Sequence, residues 1–238
     1  MILFRAFRCG VFGKYPLFYS YVLCVLSGDV LMYVLYRFNP SHYTAAYWIV
    51  QFATLIVGHG VILEILRQTL AKFPGANAFG TIVGLAALGM VFCIALVRAL
   101  AAPNSFAVTT TVELERDLRA VQAIFLAGIA AIISYYRIAI GRNLKGMLLG
   151  YGLFIATSVM YLAMRSYQGS SFHAFLSVAQ PSLYLVSLVI WTVALWSFYP
   201  NPSPRVDVQL ETDYEKLVLR TREMLGTMRA IVLKAVRP

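Results

Sequence analysis

Long apolar stretches recur along the whole chain and constrain its fold more than any other feature. Each is about as long as the roughly 20 mostly apolar residues that a helix needs to cross a bilayer. Of the 238 residues, 60% are hydrophobic and only 13% are charged, about half the charged fraction of a soluble domain. A soluble core of this size would not enclose so much apolar surface. The sequence therefore predicts an all-α, polytopic membrane helix bundle.

About six transmembrane helices are predicted in this bundle, which occupies residues 1–199. Turns rich in Pro, Asn, Gly and Ser separate them, as is typical of breaks between helices. The predicted spans are residues 15–36, 43–66, 78–102, 113–136, 147–167 and 172–199. The apolar start, residues 1–12, is also compatible with the end of a further helix before it.

A linker and a C-terminal amphipathic helix are predicted after the bundle. Three prolines make residues 200–210 a stiff linker. Thr212 and Glu215 form a capping-box pattern that starts a tail helix, residues 211–238. Apolar residues recur in this helix at alternating spacings of four and three, and basic residues outnumber acidic ones. Such a helix lies on an anionic membrane surface, packs on the bundle, or pairs with a partner helix or a second copy.

The distribution of Lys and Arg predicts the orientation of the bundle. Fifteen of the twenty Lys and Arg residues fall on the side that carries both chain ends. Cytoplasmic loops carry such an excess, so we expect both termini in the cytoplasm. Membrane topology and attraction to the lipid bilayer then account for the net charge of +10. No nucleic-acid partner is expected.

Polar side chains inside the spans form an outer layer, and each is a candidate site because polar and ionisable groups are costly in a membrane. Their depth follows from a rise of 1.5 Å per residue. We predict a ligand-binding cavity, open to the outer side, formed by Asp29, Gln51, Arg98, Gln122, Arg165 and Gln180. The alternative is that these groups only join helices by hydrogen bonds or snorkel to the interface.

His59 and Glu64 are predicted to form an inner polar pair on the second span. A His and a Glu that face a cavity can relay protons. Alternatively, Glu64 pairs with Arg67, three residues further along the helix.

Glycines spaced four residues apart mark the starts of two spans. Gly80 and Gly84 lie in the third span, and Gly146 and Gly150 lie at the fifth. Small residues at this spacing let helices approach closely. We expect both pairs to be packing sites.

Most enzyme and cofactor classes lack their motifs in this sequence. There is no His-Glu-x-x-His, no Walker loop and no nucleophile elbow. The three cysteines have no metal-binding spacing, and His59 is the single intramembrane histidine of the prediction, which disfavours a haem held by two histidines. We therefore expect no enzymatic activity, no metal and no cofactor.

Three segments resemble a family of uncharacterised bacterial multi-pass membrane proteins. They are residues 12–21 (FGKYPLFYSY), 64–70 (EILRQTL) and 146–154 (GMLLGYGLF). The resemblance covers most of the chain. It implies a location in the bacterial inner membrane and, in many members, one more helix before this start. It implies no activity.

The leading functional hypothesis is a non-enzymatic inner-membrane protein, either a sensor-like input bundle or a subunit of a larger complex. It follows from the outer polar layer and from the tail helix, which would bind a protein partner or a second copy. The alternative is a small transporter or channel with Asp29, Arg98 and Glu64 along its path. A third hypothesis is a membrane enzyme acting on lipid, with His59 and Glu64 as acid and base.

Overall fold

Helices form all the regular secondary structure in the described part of the chain. The computed structural model describes residues 12–101, 109–168, 173–202 and 209–236. Seven α-helices lie in these ranges, with two short 3-10 turns, Phe12–Lys14 and Pro40–His42. The predicted all-α bundle is confirmed. The helices are α1 (Pro16–Phe38), α2 (Tyr43–Thr69), α3 (Pro74–Ala101), α4 (Thr109–Tyr135), α5 (Arg142–Gln168), α6 (His173–Ala194) and α7 (Leu210–Val236).

Five of the described helices, α1 to α5, are long and apolar enough to cross a membrane. This supports a multi-pass membrane protein. The sixth predicted span coincides with α6, whose described apolar part, Pro181–Ala194, is shorter than the other five. A sixth crossing therefore stays a prediction.

Helix α2 lies at the centre of the bundle, where it packs against α1, α3, α4 and α5. Every residue from Val61 to Leu66 is buried. A helix that is buried around its whole circumference must be apolar on all faces, and this segment of α2 is apolar except for Glu64. The most extensive contact between two helices joins α5 to α6.

Glycine lets α5 approach α6 closely. A Cβ atom on Gly146 would meet the side chain of Ala194, and one on Gly150 would meet the indole of Trp191. The predicted packing role of this glycine pair is confirmed. The second predicted pair, on α3, faces leucine side chains of α2 in the same way.

A buried asparagine fastens the end of α6 to the start of α5. Asn143 Nδ2 donates to the carbonyls of Ala194 at 3.0 Å and Ser197 at 2.8 Å, and its Oδ1 accepts from the amide of Tyr199 at 2.6 Å. These bonds satisfy carbonyl groups that a helix end leaves without partners. We call this end of the bundle the α7 end, and the end with the turn Pro40–His42 the opposite end.

Helix α7 begins at Leu210, before the predicted capping box. Thr212 lies inside the first turn of the helix, so its predicted role as the cap is wrong. The neighbouring Glu211 contacts α3: its Oε1 accepts from the amide of Gly75 at 2.9 Å. This carboxylate therefore caps α3, whose first amides have no partner within their own helix.

Candidate functional site

A partly open cavity of about 650 Å³ lies within the bundle towards the opposite end. Its volume is in the range of small-molecule sites in proteins. Helices α1, α2, α4, α5 and α6 all contribute to its wall, which is rich in aromatic and polar side chains. The lining consists of Tyr21, Val25, Asp29, Met32, Tyr47, Trp48, Val50, Gln51, Thr54, Glu115, Arg119, Phe154, Ser158, Tyr161, Pro181 and Tyr184.

A row of polar contacts crosses this cavity from α2 to α5. Gln51 Nε2 donates to Glu115 Oε1 at 2.6 Å. The same oxygen lies 4.0 Å from Arg119 Nε, and the Arg119 guanidinium lies 4.9 Å from the centre of the Phe154 ring. Arg119 is only 5% exposed. An ion pair and a cation–π contact therefore stabilise a buried charge in surroundings where electrostatic interactions are strong.

The predicted outer-layer residues have different positions. Asp29 and Gln51 line the cavity. Gln122 lies one turn deeper on α4, and its Nε2 donates to the carbonyl of Leu55 at 3.2 Å. The side chains of Arg98, Arg165 and Gln180 lie outside the described residues. A ligand-binding role for all six residues stays a prediction.

Two cavity residues, Glu115 and Arg119, were not among the predicted ones. The charged run of residues 113–119 predicts a helix end that projects into solvent, yet both side chains face the cavity. A signal for this exists in the sequence. Glu115, Arg119 and Gln122 are spaced by four and three residues, which places them on one face of a helix. That face points into the bundle, where the neighbouring Leu118 is fully buried.

Aromatic side chains fill the bundle beneath the cavity. Trp191 stacks on Tyr151 with 6.2 Å between ring centres, and it meets Phe18 and Tyr21 edge-on at 5.2 and 6.3 Å. All four residues are at most 1% exposed. The cavity therefore ends, in the direction of the α7 end, at a tightly packed aromatic cluster.

Glu64 holds the beginning of α1. Its carboxylate oxygens accept from the amides of Leu17 at 3.1 Å and Phe18 at 2.8 Å. The predicted pairing with Arg67 is wrong, since these amides at a helix N-terminus need an acceptor and the helix dipole favours an anion there. Arg67 is exposed.

His59 has a separate partner. Its Nε2 lies 3.0 Å from the carbonyl oxygen of Gly84 on α3, and its ring meets Phe125 of α4 at 6.0 Å. Glu64 lies five positions after His59 on the same helix, so their side chains point about 140° apart. This corrects the predicted inner polar pair: the two side chains serve different helix contacts.

The first turns of α7 dock on α3 and α4. Tyr136 Oη donates to Asp213 Oδ2 at 3.2 Å, and Tyr214 packs against Phe79 and Gly75. Desolvation and the Asp213 carboxylate raise the pKa of Tyr136. Its hydroxyl therefore keeps the proton that it donates at neutral pH.

The rest of α7 presents an apolar face without a described contact to the bundle. Met224, Leu225 and Met228 are 57%, 60% and 60% exposed. These residues continue the face of α7 that carries Tyr214, which packs against α3. Basic side chains flank this exposed face, namely Lys216, Arg220 and Arg222.

Comparisons of the chain with family models, curated proteins and solved structures found no match. The resemblance to a bacterial multi-pass family stays a prediction. Function is therefore inferred from the cavity and from its connection to α7.

Proposed function

We propose that this protein is a non-enzymatic, sensor-like input bundle of the bacterial inner membrane. In this proposal, a small molecule binds in the cavity and changes the position of α7, which acts on a partner. Both termini lie in the cytoplasm, so the cavity opens on the outer side.

The proposal depends mainly on one observation: α4 contributes to the cavity wall near its beginning and is joined to α7 after its end. Glu115 and Arg119 lie in the cavity wall near its beginning, and Tyr136, directly after its end, bonds to Asp213 of α7. At 1.5 Å per residue, Glu115 and Tyr136 are about 32 Å apart. A ligand that binds more tightly to one position of α4 than to another would favour that position. The position of α7 would change with it, and the size of the shift is set by the difference between the two affinities.

The aromatic cluster beneath the cavity favours binding over passage. Phe18, Tyr21, Tyr151 and Trp191 fill the space between the cavity and the α7 end. A ligand that enters would meet packed side chains at this depth. The arrangement suits a binding site whose occupancy is sensed.

The candidate acid and base have structural partners, which favours a non-enzymatic role. Glu64 caps α1, and His59 bonds to a backbone carbonyl of α3. A general acid and base must both reach one substrate. These two side chains point towards different helices.

The exposed face of α7 with Met224, Leu225 and Met228 is the proposed output surface. Its apolar seam, with basic side chains beside it, suits a partner helix whose own seam is flanked by acidic residues. Purification in mild detergent tests this part. We expect a partner to co-purify with the protein, and to be lost when α7 is deleted. A homogeneous monomer without a partner would contradict this part.

Hydrogen exchange of α7 tests the connection through α4. Glu115→Gln removes the charge that faces Arg119 and leaves that buried guanidinium without its counter-ion. We expect α4 to shift and the amides of the first turns of α7 to exchange about fivefold faster, within the usual range of coupling between sites.

The matched control is Arg116→Gln, one residue further along α4. The Arg116 side chain is 53% exposed and does not line the cavity. We expect α7 exchange to stay unchanged in this variant. If both variants leave α7 exchange unchanged, α4 does not couple the cavity to α7.

A small transporter is the second candidate, and the position of Asp29 favours it. Asp29 lies on a membrane-spanning helix and lines the cavity, and intramembrane ionisable residues often mark a transport path. Flux into liposomes separates the two functions. Uptake that Asp29→Asn abolishes would favour transport, and tight liposomes would favour sensing.

A further inference from the structure

We propose that the ligand of the cavity is an organic ammonium ion. Asp29 is its counter-ion, and the aromatic side chains of the wall bind its positively charged head. This inference rests on the proposed ligand-binding function and adds the chemical class of the ligand.

The charges of the wall leave Asp29 as the available anion. Among the described lining residues, the charged ones are Asp29, Glu115 and Arg119. Glu115 accepts from Gln51 and faces Arg119, and Arg119 also lies over Phe154. The described lining offers Asp29 no hydrogen bond or ion pair of this kind. Because a carboxylate without a cationic partner is costly in a membrane, a cationic ligand would stabilise Asp29.

The aromatic residues of the wall suit a cation as well. The faces of Trp and Tyr rings attract ammonium groups within about 6 Å of the ring centre. This bundle already uses such a contact, between Arg119 and Phe154 at 4.9 Å. Besides Phe154 and Tyr21, four aromatic residues on α2, α5 and α6 line the cavity: Tyr47, Trp48, Tyr161 and Tyr184.

A row of rings leads to this wall from the turn between α1 and α2. The ring centres of Tyr36 and Tyr43 are 6.0 Å apart, those of Tyr43 and Tyr47 are 6.5 Å apart, and those of Tyr47 and Trp48 are 5.1 Å apart. Successive aromatic rings offer a cation favourable contacts along its way.

Three probes that differ mainly in charge test the inference: 2-phenylethylammonium, 2-phenylethanol and phenylacetate. Binding to the full-length protein in nanodiscs is measured by calorimetry. We expect the ammonium compound to bind saturably, the alcohol to bind about tenfold more weakly, and phenylacetate to bind least. Equal binding of the ammonium compound and the alcohol, or tighter binding of phenylacetate, would overturn the inference.

Variants locate the interaction. Asp29→Asn should weaken binding of the ammonium compound about tenfold through the loss of charge attraction and leave that of the alcohol unchanged. Asp117→Asn is the matched control, because Asp117 is a nearby acid outside the lining, and it should bind as the unchanged protein does. An ammonium affinity that Asp29→Asn does not alter would also overturn the inference. The comparison of the three probes on the unchanged protein stands if Asp29→Asn fails to fold.

The outcomes separate this inference from the proposed function. Saturable binding of the alcohol or of phenylacetate with higher affinity would keep the cavity as a ligand site and reject the ammonium class. Unchanged α7 exchange in Glu115→Gln would reject the coupling through α4, whatever the ligand is.

Discussion

The two oxygens of Glu64 hold the amides that begin α1, and α1 carries Tyr21 and Asp29 into the cavity. A residue of the central helix thereby positions one wall of the site without lining it. Its contribution should appear as stability of the bundle.

Glu64→Gln tests this contribution. The glutamine keeps one acceptor oxygen, but its amide nitrogen cannot accept from the second backbone N–H, and the charge at the helix N-terminus is lost. We expect a loss of about 1.5–3 kcal/mol in the free energy of unfolding, typical of hydrogen bonds to charged groups. Thermal unfolding in mild detergent measures it. The control is Glu223→Gln, an exposed position on α7, and equal melting temperatures for the two variants would contradict the assigned role.

Single residues differ in how far the sequence reveals their role. Asp29 and Gln51 stand out because a polar side chain within an apolar run is itself unusual. Glu115 and Arg119 do not stand out, since charges at a helix end have an ordinary explanation in solvation. The partners of Glu64 lie 46 and 47 residues away, and no local pattern indicates a contact of that kind.

At the scale of elements, the helices could be predicted within a few residues because crossing a bilayer requires long apolar runs. Among the helix beginnings, the largest difference from the prediction is in α5, which begins at Arg142 rather than at residue 147. Asn143 extends the helix by bonding to the end of α6. Packing of α7 on the bundle is one of the alternatives that the sequence offers, but the contact that docks it could not be predicted, because Glu211 meets Gly75 across 136 residues.

The contact between α5 and α6 gives a prediction for paired glycine variants. Gly150→Ala places a methyl group against the Trp191 indole, and overpacking of this kind costs about 1–3 kcal/mol. Gly152→Ala meets nothing within 4 Å, so we expect it to be neutral or to stabilise the helix by up to about 1 kcal/mol. Thermal unfolding of both variants in one detergent compares them. A loss of stability in Gly152→Ala equal to that in Gly150→Ala would show that close packing is not the cause.

The whole molecule has two chemically distinct ends. The opposite end holds the cavity with its carboxylates and aromatic rings. The α7 end holds the docked first turns of α7 and most of the Lys and Arg residues whose side chains the structure describes. An input on one side of a membrane and an output on the other require this separation. The orientation of the bundle therefore decides whether the cavity can sample the outer compartment.

Accessibility of single cysteines tests that orientation. With the native cysteines replaced by alanine, Ser41→Cys places a thiol in the exposed turn at the opposite end, and Gln209→Cys places one just before α7. Because cytoplasmic loops carry the excess of Lys and Arg, a membrane-impermeant thiol reagent should label Ser41→Cys in intact cells. It should label Gln209→Cys only after the membrane is opened. The reverse pattern would place the cavity in the cytoplasm, and labelling of both positions from outside would contradict an odd number of crossings between them.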